Sequence, residues 1–153
     1  MSGVILLLSG PNLDQLGRRD PALYGTATLE EHVARLSEVA RSRGYALRHV
    51  QSNFEGDLIE AVRDATDCAA VIVNAGALTH TSWALADALA TFAGPRVEVH
   101  LSNPAAREPF RHVTTLAGVV EGSIAGFGAL SYDLALVAVL RRLGDGPGVV
   151  AGS

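Results

Sequence analysis

Val4-Ile5-Leu6-Leu7-Leu8 is an unbroken apolar run, and Ser9 begins a polar segment that lasts to Ala27. A strand with one wet face alternates apolar and polar residues; a strand covered on both faces does not. The run therefore predicts a central strand with helices packed against both of its sides. The chain downstream keeps that rhythm. Thr28-Leu29-Glu30-Glu31 reads as a capping box, Leu29, Val33, Leu36 and Ala40 fall at helical spacing, and Gly44 stands where the helix should end. Ala46 to Val50 predicts a second strand. Ser52-Asn53-Phe54-Glu55 reads as another capping box, opening a helix with Leu58, Ile59, Val62 and Ala65 inward. Ala69 to Val73 predicts a third strand, Ser82 to Phe92 a third helix and Val97 to Leu101 a fourth strand. Val119 to Ala125 reads as a fifth strand and Ser131 to Leu143 as a closing helix.

Strands alternating with helices imply right-handed crossovers and a parallel sheet. Five of them suit an α/β, flavodoxin-like sheet in the order 2-1-3-4-5 with helices on both faces. Residues 1–143 read as one domain, and the glycine-rich residues 144–153 as a tail expected to fray. In such sheets ligands bind beyond the carboxyl ends of the strands, at the switch between strands one and three.

Composition removes several function classes. The 153 residues carry a net charge of −4, so nothing points to nucleic acid. No apolar run approaches the ~20 residues that span a bilayer. Met1-Ser2-Gly3 lacks the basic start of a signal peptide, and Cys68 stands alone, which together favour the cytoplasm and exclude an internal disulfide or a cysteine metal cluster. All 12 basic residues are arginine. Without lysine there is no lysine Schiff base, no phosphate-loop lysine and no lysine general base.

The expected carboxyl ends of the strands concentrate polar groups. The segment from Ser9 to Gly25 is a long loop that carries Arg18, Arg19 and Tyr24; it is either a solvated surface loop or a functional one. After strand three, Asn74 occupies the place of a receiver domain's phospho-accepting aspartate, so that activity is excluded. His80 follows, as a helix-flanking histidine or a binding residue. Glu98 and His100 are two apart on strand four and share a face. They form either a structural ion pair or a general acid whose imidazole is oriented by a carboxylate. Arg107, Arg111 and His112 complete the set. Anion-binding, acid and base candidates on one sheet edge make a catalytic constellation. A flavodoxin-like cofactor module would need a Ser/Thr-rich phosphate loop after strand one, which Ser9 to Gly17 is not.

Five motifs in order resemble type II 3-dehydroquinate dehydratases. They are Gly10-Pro11-Asn12-Leu13 with Leu16-Gly17, Arg19 and Tyr24-Gly25; Gln51-Ser52-Asn53 with Glu55-Gly56; Asn74-Ala75-Gly76 with Thr79-His80-Thr81-Ser82; Glu98-Val99-His100-Leu101-Ser102-Asn103 with Arg107-Glu108-Pro109-Phe110-Arg111-His112; and Ile124-Ala125-Gly126-Phe127-Gly128. The resemblance runs from about Val4 to Arg142. It implies a cofactor-free, metal-free hydro-lyase that removes water from 3-dehydroquinate by anti elimination, in the shikimate pathway or in quinate breakdown. By resemblance, Tyr24, with Arg19 favouring its phenolate, is the base, and Asn12 holds a water that stabilises the enolate. His100, oriented by Glu98, protonates the departing hydroxyl. Asn74, Ser102 and the backbone N–H groups at Leu101 and Ser102 hold the substrate carboxylate; His80 and Arg111 hold ring hydroxyls. Asp87 reaches a neighbouring subunit's site, since the family forms trimers assembled into dodecamers. The chain departs from the family at Ser9, usually asparagine, at Asp14-Gln15, and at Phe54, Trp83, Ala86 and Val113.

Overall fold

The computed structural model describes residues 3–144, so the expected fraying of the tail beyond Gly144 lies outside the described residues. Five parallel strands, β1 (Gly3–Ser9), β2 (Tyr45–Gln51), β3 (Cys68–Asn74), β4 (Arg96–His100) and β5 (Gly122–Ala125), form one sheet in the order β2-β1-β3-β4-β5. The helices are α1 (Pro21–Tyr24), α2 (Leu29–Ser42), α3 (Glu55–Asp64), α4 (Trp83–Ala90) and α5 (Ala129–Arg142). The flavodoxin-like order is the expected one. The unbroken run in β1 has the expected cause. Ile5 and Leu7 belong to the core under α2 and α5, whereas Leu6 and Leu8 belong to the core under α3 and α4. Each such side chain contributes roughly 1.5–3 kcal/mol on burial, so both faces of this strand must be apolar.

Local signals decide some boundaries and miss others. Thr28 caps α2, with its hydroxyl oxygen accepting from the Glu31 N–H at 3.2 Å. The second capping box does not form. Ser52 accepts from the Phe54 N–H and donates to Asp57, and Phe54 itself takes the cap position of α3 without a side-chain bond. Ser52 follows β2 directly and stands outside the cap position, so its hydroxyl is engaged by the Phe54 N–H and the Asp57 side chain rather than by the Glu55 N–H. Strand β5 begins at Gly122 instead of Val119. Val119 is held in a turn by the Leu116 carbonyl, and the Glu121 side chain accepts from the Arg96 N–H at the start of β4. Helix α4 stops at Ala90, two residues before Phe92, whose carbonyl accepts from the Arg96 guanidinium. The long segment after β1 is not structureless. It contains a 3-10 turn (Leu13–Gln15) and α1, and Leu13 and Leu16 anchor it in the core.

The switch point is the tightest place in the sheet. The Gly10 N–H donates to the Asn74 carbonyl at 2.8 Å, bringing the exits of β1 and β3 together. A Cβ at position 10 would lie 2.2 Å from the Ala75 carbonyl oxygen. Backbone cannot yield there as a flexible side chain can. Gly10→Ala should therefore lower unfolding free energy by on the order of 2 kcal/mol or more, read as a shift in the denaturant midpoint with unchanged slope.

Candidate active site

A cleft of about 130 Å³ opens beyond the carboxyl ends of β1, β3 and β4. Its wall includes Asn12, Arg19, Tyr24, Asn74, His80, His100, Leu101, Ser102, Arg107 and Arg111. Of the residues given a role by resemblance, all but Glu98 and Asp87 lie on this wall; Arg18 and His112, also singled out in the sequence, do not. Glu98 stands directly behind it. The lining carries arginines and histidines but, among the described residues, no carboxylate side chain. A chain of net charge −4 thus presents a cationic cleft, which suits a small anionic ligand.

Glu98 is 2% exposed and fully engaged. One oxygen accepts from the Ser123 hydroxyl at 2.7 Å; the other accepts from Thr79 and from His100 Nε2, the latter at 3.1 Å. Burial alone would push this carboxyl up, but the bonds from His100, Thr79 and Ser123 outweigh it and hold it below the usual carboxylate range. An ionised Glu98 has no hydrogen to give, so the shared hydrogen belongs to His100 Nε2. Nδ1 is then the ring nitrogen left to exchange a proton. Thr79 and Ser123 carry no signal of this role in the sequence, because their elements meet Glu98 only when the sheet forms.

Tyr24, at the end of α1, meets Arg19 across one turn. An Arg19 N–H lies 3.3 Å from the phenol oxygen, and the guanidinium carbon is 4.5 Å from the ring centroid. A second arginine, assigned no role by the motifs, joins them. Arg107 sits 5.4 Å from the same ring and donates to the Ser102 hydroxyl at 3.1 Å. It ties Tyr24 to Ser102, just past the end of β4, and adds positive charge beside the phenol. Its place in the Arg107-Glu108-Pro109-Phe110-Arg111 motif was the available signal.

The remaining candidates are held in defined poses. His80 Nδ1 lies 2.7 Å from the Val113 carbonyl, which can only accept, so Nδ1 carries a hydrogen and the ring is fixed in place. Arg111 is anchored by Glu108 at 2.6 Å and stacks over Phe110. Asn12 has left-handed backbone, φ 69°, and its N–H donates to the Asn53 side chain at 2.9 Å. Asn74 donates from Nδ2 to the Tyr132 hydroxyl at 3.1 Å and accepts from the Gly76 N–H at 3.3 Å, leaving one Nδ2 hydrogen uncommitted. Asp87 is not in this cleft. It lines a separate groove between α3 and α4, beside Arg63 and Thr91.

Fold and cleft together define an α/β protein whose switch-point site offers a guanidinium-bound phenol, a carboxylate-bound imidazole and a surplus of positive charge. Comparison with known proteins narrows this class. A family model described as dehydroquinase class II matches residues 3–140. A 3-dehydroquinate dehydratase from Shewanella sp. (strain MR-4) is 52% identical over 143 residues, covering 94% of this chain and 99% of the relative. The crystal structure of a type II dehydroquinase from Butyrivibrio crossotus matches with TM-score 0.87 and 36% identity, covering 90% of this chain and 97% of that one. That of the type II dehydroquinase from Propionibacterium acnes matches with TM-score 0.82 and 43% identity, covering 92% and 98%. The chain belongs to the class II dehydroquinase family.

The Glu98 network makes a stability prediction. A carboxyl held below its ordinary value of 4.5 contributes stability above that value, and loses it as pH falls through the lowered one. Glu98→Gln should lower stability near neutrality by on the order of 1–3 kcal/mol. It should also flatten the loss of stability below pH 4.5. Denaturant titrations across that range, wild type against variant, measure both.

Proposed function

We propose that this chain is a hydro-lyase that eliminates water from 3-dehydroquinate to give 3-dehydroshikimate. The observation that carries the reading is the pairing, on one cationic cleft, of a phenol bound by Arg19 with an imidazole bound by a buried carboxylate. Tyr24, as phenolate, takes the proton from the carbon beside the substrate ketone. The C–H electron pair becomes an enolate, stabilised by a water held at Asn12. The enolate re-forms the ketone as the C–O bond to the neighbouring hydroxyl breaks. The departing oxygen takes a proton from His100, which Glu98 orients. Asn74, Ser102 and the backbone N–H groups at Leu101 and Ser102 hold the carboxylate, and His80 and Arg111 hold ring hydroxyls. With no lysine in the chain, an imine route to the same product is closed. The reaction serves the shikimate pathway and needs no cofactor.

We further propose a homo-oligomer built from trimers into a dodecamer, in the cytoplasm. The support is local. Asp87 lies outside its own chain's cleft, where a neighbour's site can receive it, and Phe54 and Trp83 are 72% and 67% exposed. Among the described residues no helix is long and apolar enough to cross a membrane.

Incubation with 3-dehydroquinate should produce the ultraviolet absorbance of a conjugated enone; its absence would overturn the reaction. Chelators should leave the rate unchanged, and a loss restored by one specific metal would contradict the mechanism. His100→Ala should lose about 10²–10⁴-fold in turnover while still binding substrate. Tyr24→Phe should lose at least ~10²-fold at every pH. Arg19→Ala should fall too, because the phenol loses the guanidinium that lies 3.3 Å from its oxygen. Wild-type turnover in Tyr24→Phe would remove Tyr24 as the base.

A further inference from the structure

Gln51-Ser52-Asn53 is a motif with no part in the reaction proposed above. It marks the exit of β2. The register pairs Gln51 with Ser9, the last residue of β1, and the Ser52 N–H donates to the Ser9 carbonyl at 3.1 Å. Gln51 and Asn53 are thereby carried beside Gly10-Pro11-Asn12, the first residues beyond β1. Gln51 Nε2 donates to the Gly10 carbonyl at 3.2 Å and to Asn53 Oδ1 at 3.2 Å. Asn53 Oδ1 also accepts from the Asn12 N–H at 2.9 Å.

Donor counting leaves this clasp one arrangement. A backbone carbonyl can only accept and a backbone N–H can only donate, so both of its ends have fixed roles. The Gly10 carbonyl requires the NH₂ of Gln51, and the Asn12 N–H requires the oxygen of Asn53. Between them a Gln51 hydrogen meets the Asn53 oxygen. Turning Gln51 over would set oxygen against oxygen at Gly10; turning Asn53 over would set donor against donor at Asn12. Asn12 needs such a hold. Its backbone is left-handed, φ 69° and ψ 0°, a region that residues with a Cβ rarely adopt. Its side chain lines the cleft and does not cap the 3-10 turn that follows. The direction of its Cα–Cβ bond is therefore set by the backbone alone. Asn53 holds the Asn12 N–H, and the Gln15 N–H donates to the Asn12 carbonyl at 3.1 Å. On the opposite flank a Cβ at Gly76 would stand 3.0 Å from the Pro11 carbonyl oxygen, so the exit of β3 closes that side.

We propose that Gln51 and Asn53 are positioning residues for the dehydration: their clasp holds Asn12 in its left-handed backbone and so aims the Asn12 side chain at the enolate. The proposal rests on the function proposed above for the part that concerns the enolate. Neither residue lines the cleft, so both act only through Asn12. The negative charge that Asn12 serves is absent from the bound ketone and develops as the proton leaves. A group that serves only that charge acts on turnover and leaves substrate binding nearly unchanged.

The test compares wild type with Asn53→Ala, which removes the acceptor, with Gln51→Met, which keeps the length of the side chain and removes both donors, and with Asn12→Gly, which deletes the amide where glycine tolerates the backbone. With 3-dehydroquinate, Asn53→Ala should lower kcat about tenfold and Gln51→Met about threefold or more, each with KM within about threefold of wild type. Residues that act through one another do not add. The double variant Asn12→Gly with Asn53→Ala should therefore stay within about twofold of Asn12→Gly alone. A kcat for Asn53→Ala within about twofold of wild type, a loss that falls on KM alone, or losses that multiply in the double variant would overturn the proposal. Backbone hydrogen exchange at Asn12 provides a readout that needs no turnover. It should be slowed in wild type and speed up about tenfold or more in Asn53→Ala, as expected when an N–H loses its acceptor. Equal exchange in the two proteins would refute the clasp whatever the assay shows. A wild type that did not dehydrate the substrate, yet showed the exchange difference, would overturn the reaction and with it the role assigned to the clasp, while the hold on Asn12 stood.

Discussion

The exits of β1 and β3 approach so closely that backbone meets backbone, and the site depends on that approach. Gly10 donates to the Asn74 carbonyl, and no side chain fits at position 10. The segments that leave the two strands then part to opposite faces of the sheet, the first leading to α2 and the second to α4, as in a sheet wound in both directions from its centre. Their divergence opens the crevice. Asn74 ends one strand on its wall, and the segment carrying Asn12, Arg19 and Tyr24 leaves from the other. A looser junction would leave Asn74 and Tyr24 without a common frame, since geometry held within about half an ångström is what acid–base work requires.

Charge is distributed around that frame with a consistent sign. The chain is acidic overall, yet the cleft gathers arginines from the segment after β1 and from the stretch after β4. The buried carboxylate nearest the cleft is set back behind an imidazole, with hydroxyls on both of its oxygens. An anion entering the cleft meets guanidinium and imidazole first. The carboxylate acts on it only through His100, by fixing which ring nitrogen holds a hydrogen. This arrangement separates attraction for an anion from control of proton transfer.

Much of the architecture was legible because its signals are local. The apolar run in β1, the 3.6-residue spacing in α2 and the Thr28 cap each depend on residues a few positions apart. The Ser52 box failed because the hydroxyl bonds the Phe54 N–H and the Asp57 side chain instead of the Glu55 N–H. Val119 and Val120 have strand composition, yet they pack against the core as a turn because the start of β4 takes up Glu121. The motifs located Tyr24, Arg19, Glu98 and His100 through resemblance. Nothing in them ranked Arg107, whose importance comes from standing between Tyr24 and Ser102.

By itself the sequence determined the strand and helix order, the covered central strand, the absence of lysine chemistry and the set of polar groups available at one sheet edge. These follow from periodicity and composition, which act over a few residues or over the whole chain. Tertiary structure alone decided the partners: Thr79 and Ser123 on Glu98, Arg107 on Tyr24, Tyr132 on Asn74, and His49 on Ser9. Hydrogen bonds have direction, and direction depends on which donor meets which acceptor across strands and helices far apart in the chain. Ser9 and His49 are 40 residues apart and Asn74 and Tyr132 are 58 apart, distances at which sequence spacing carries no such information.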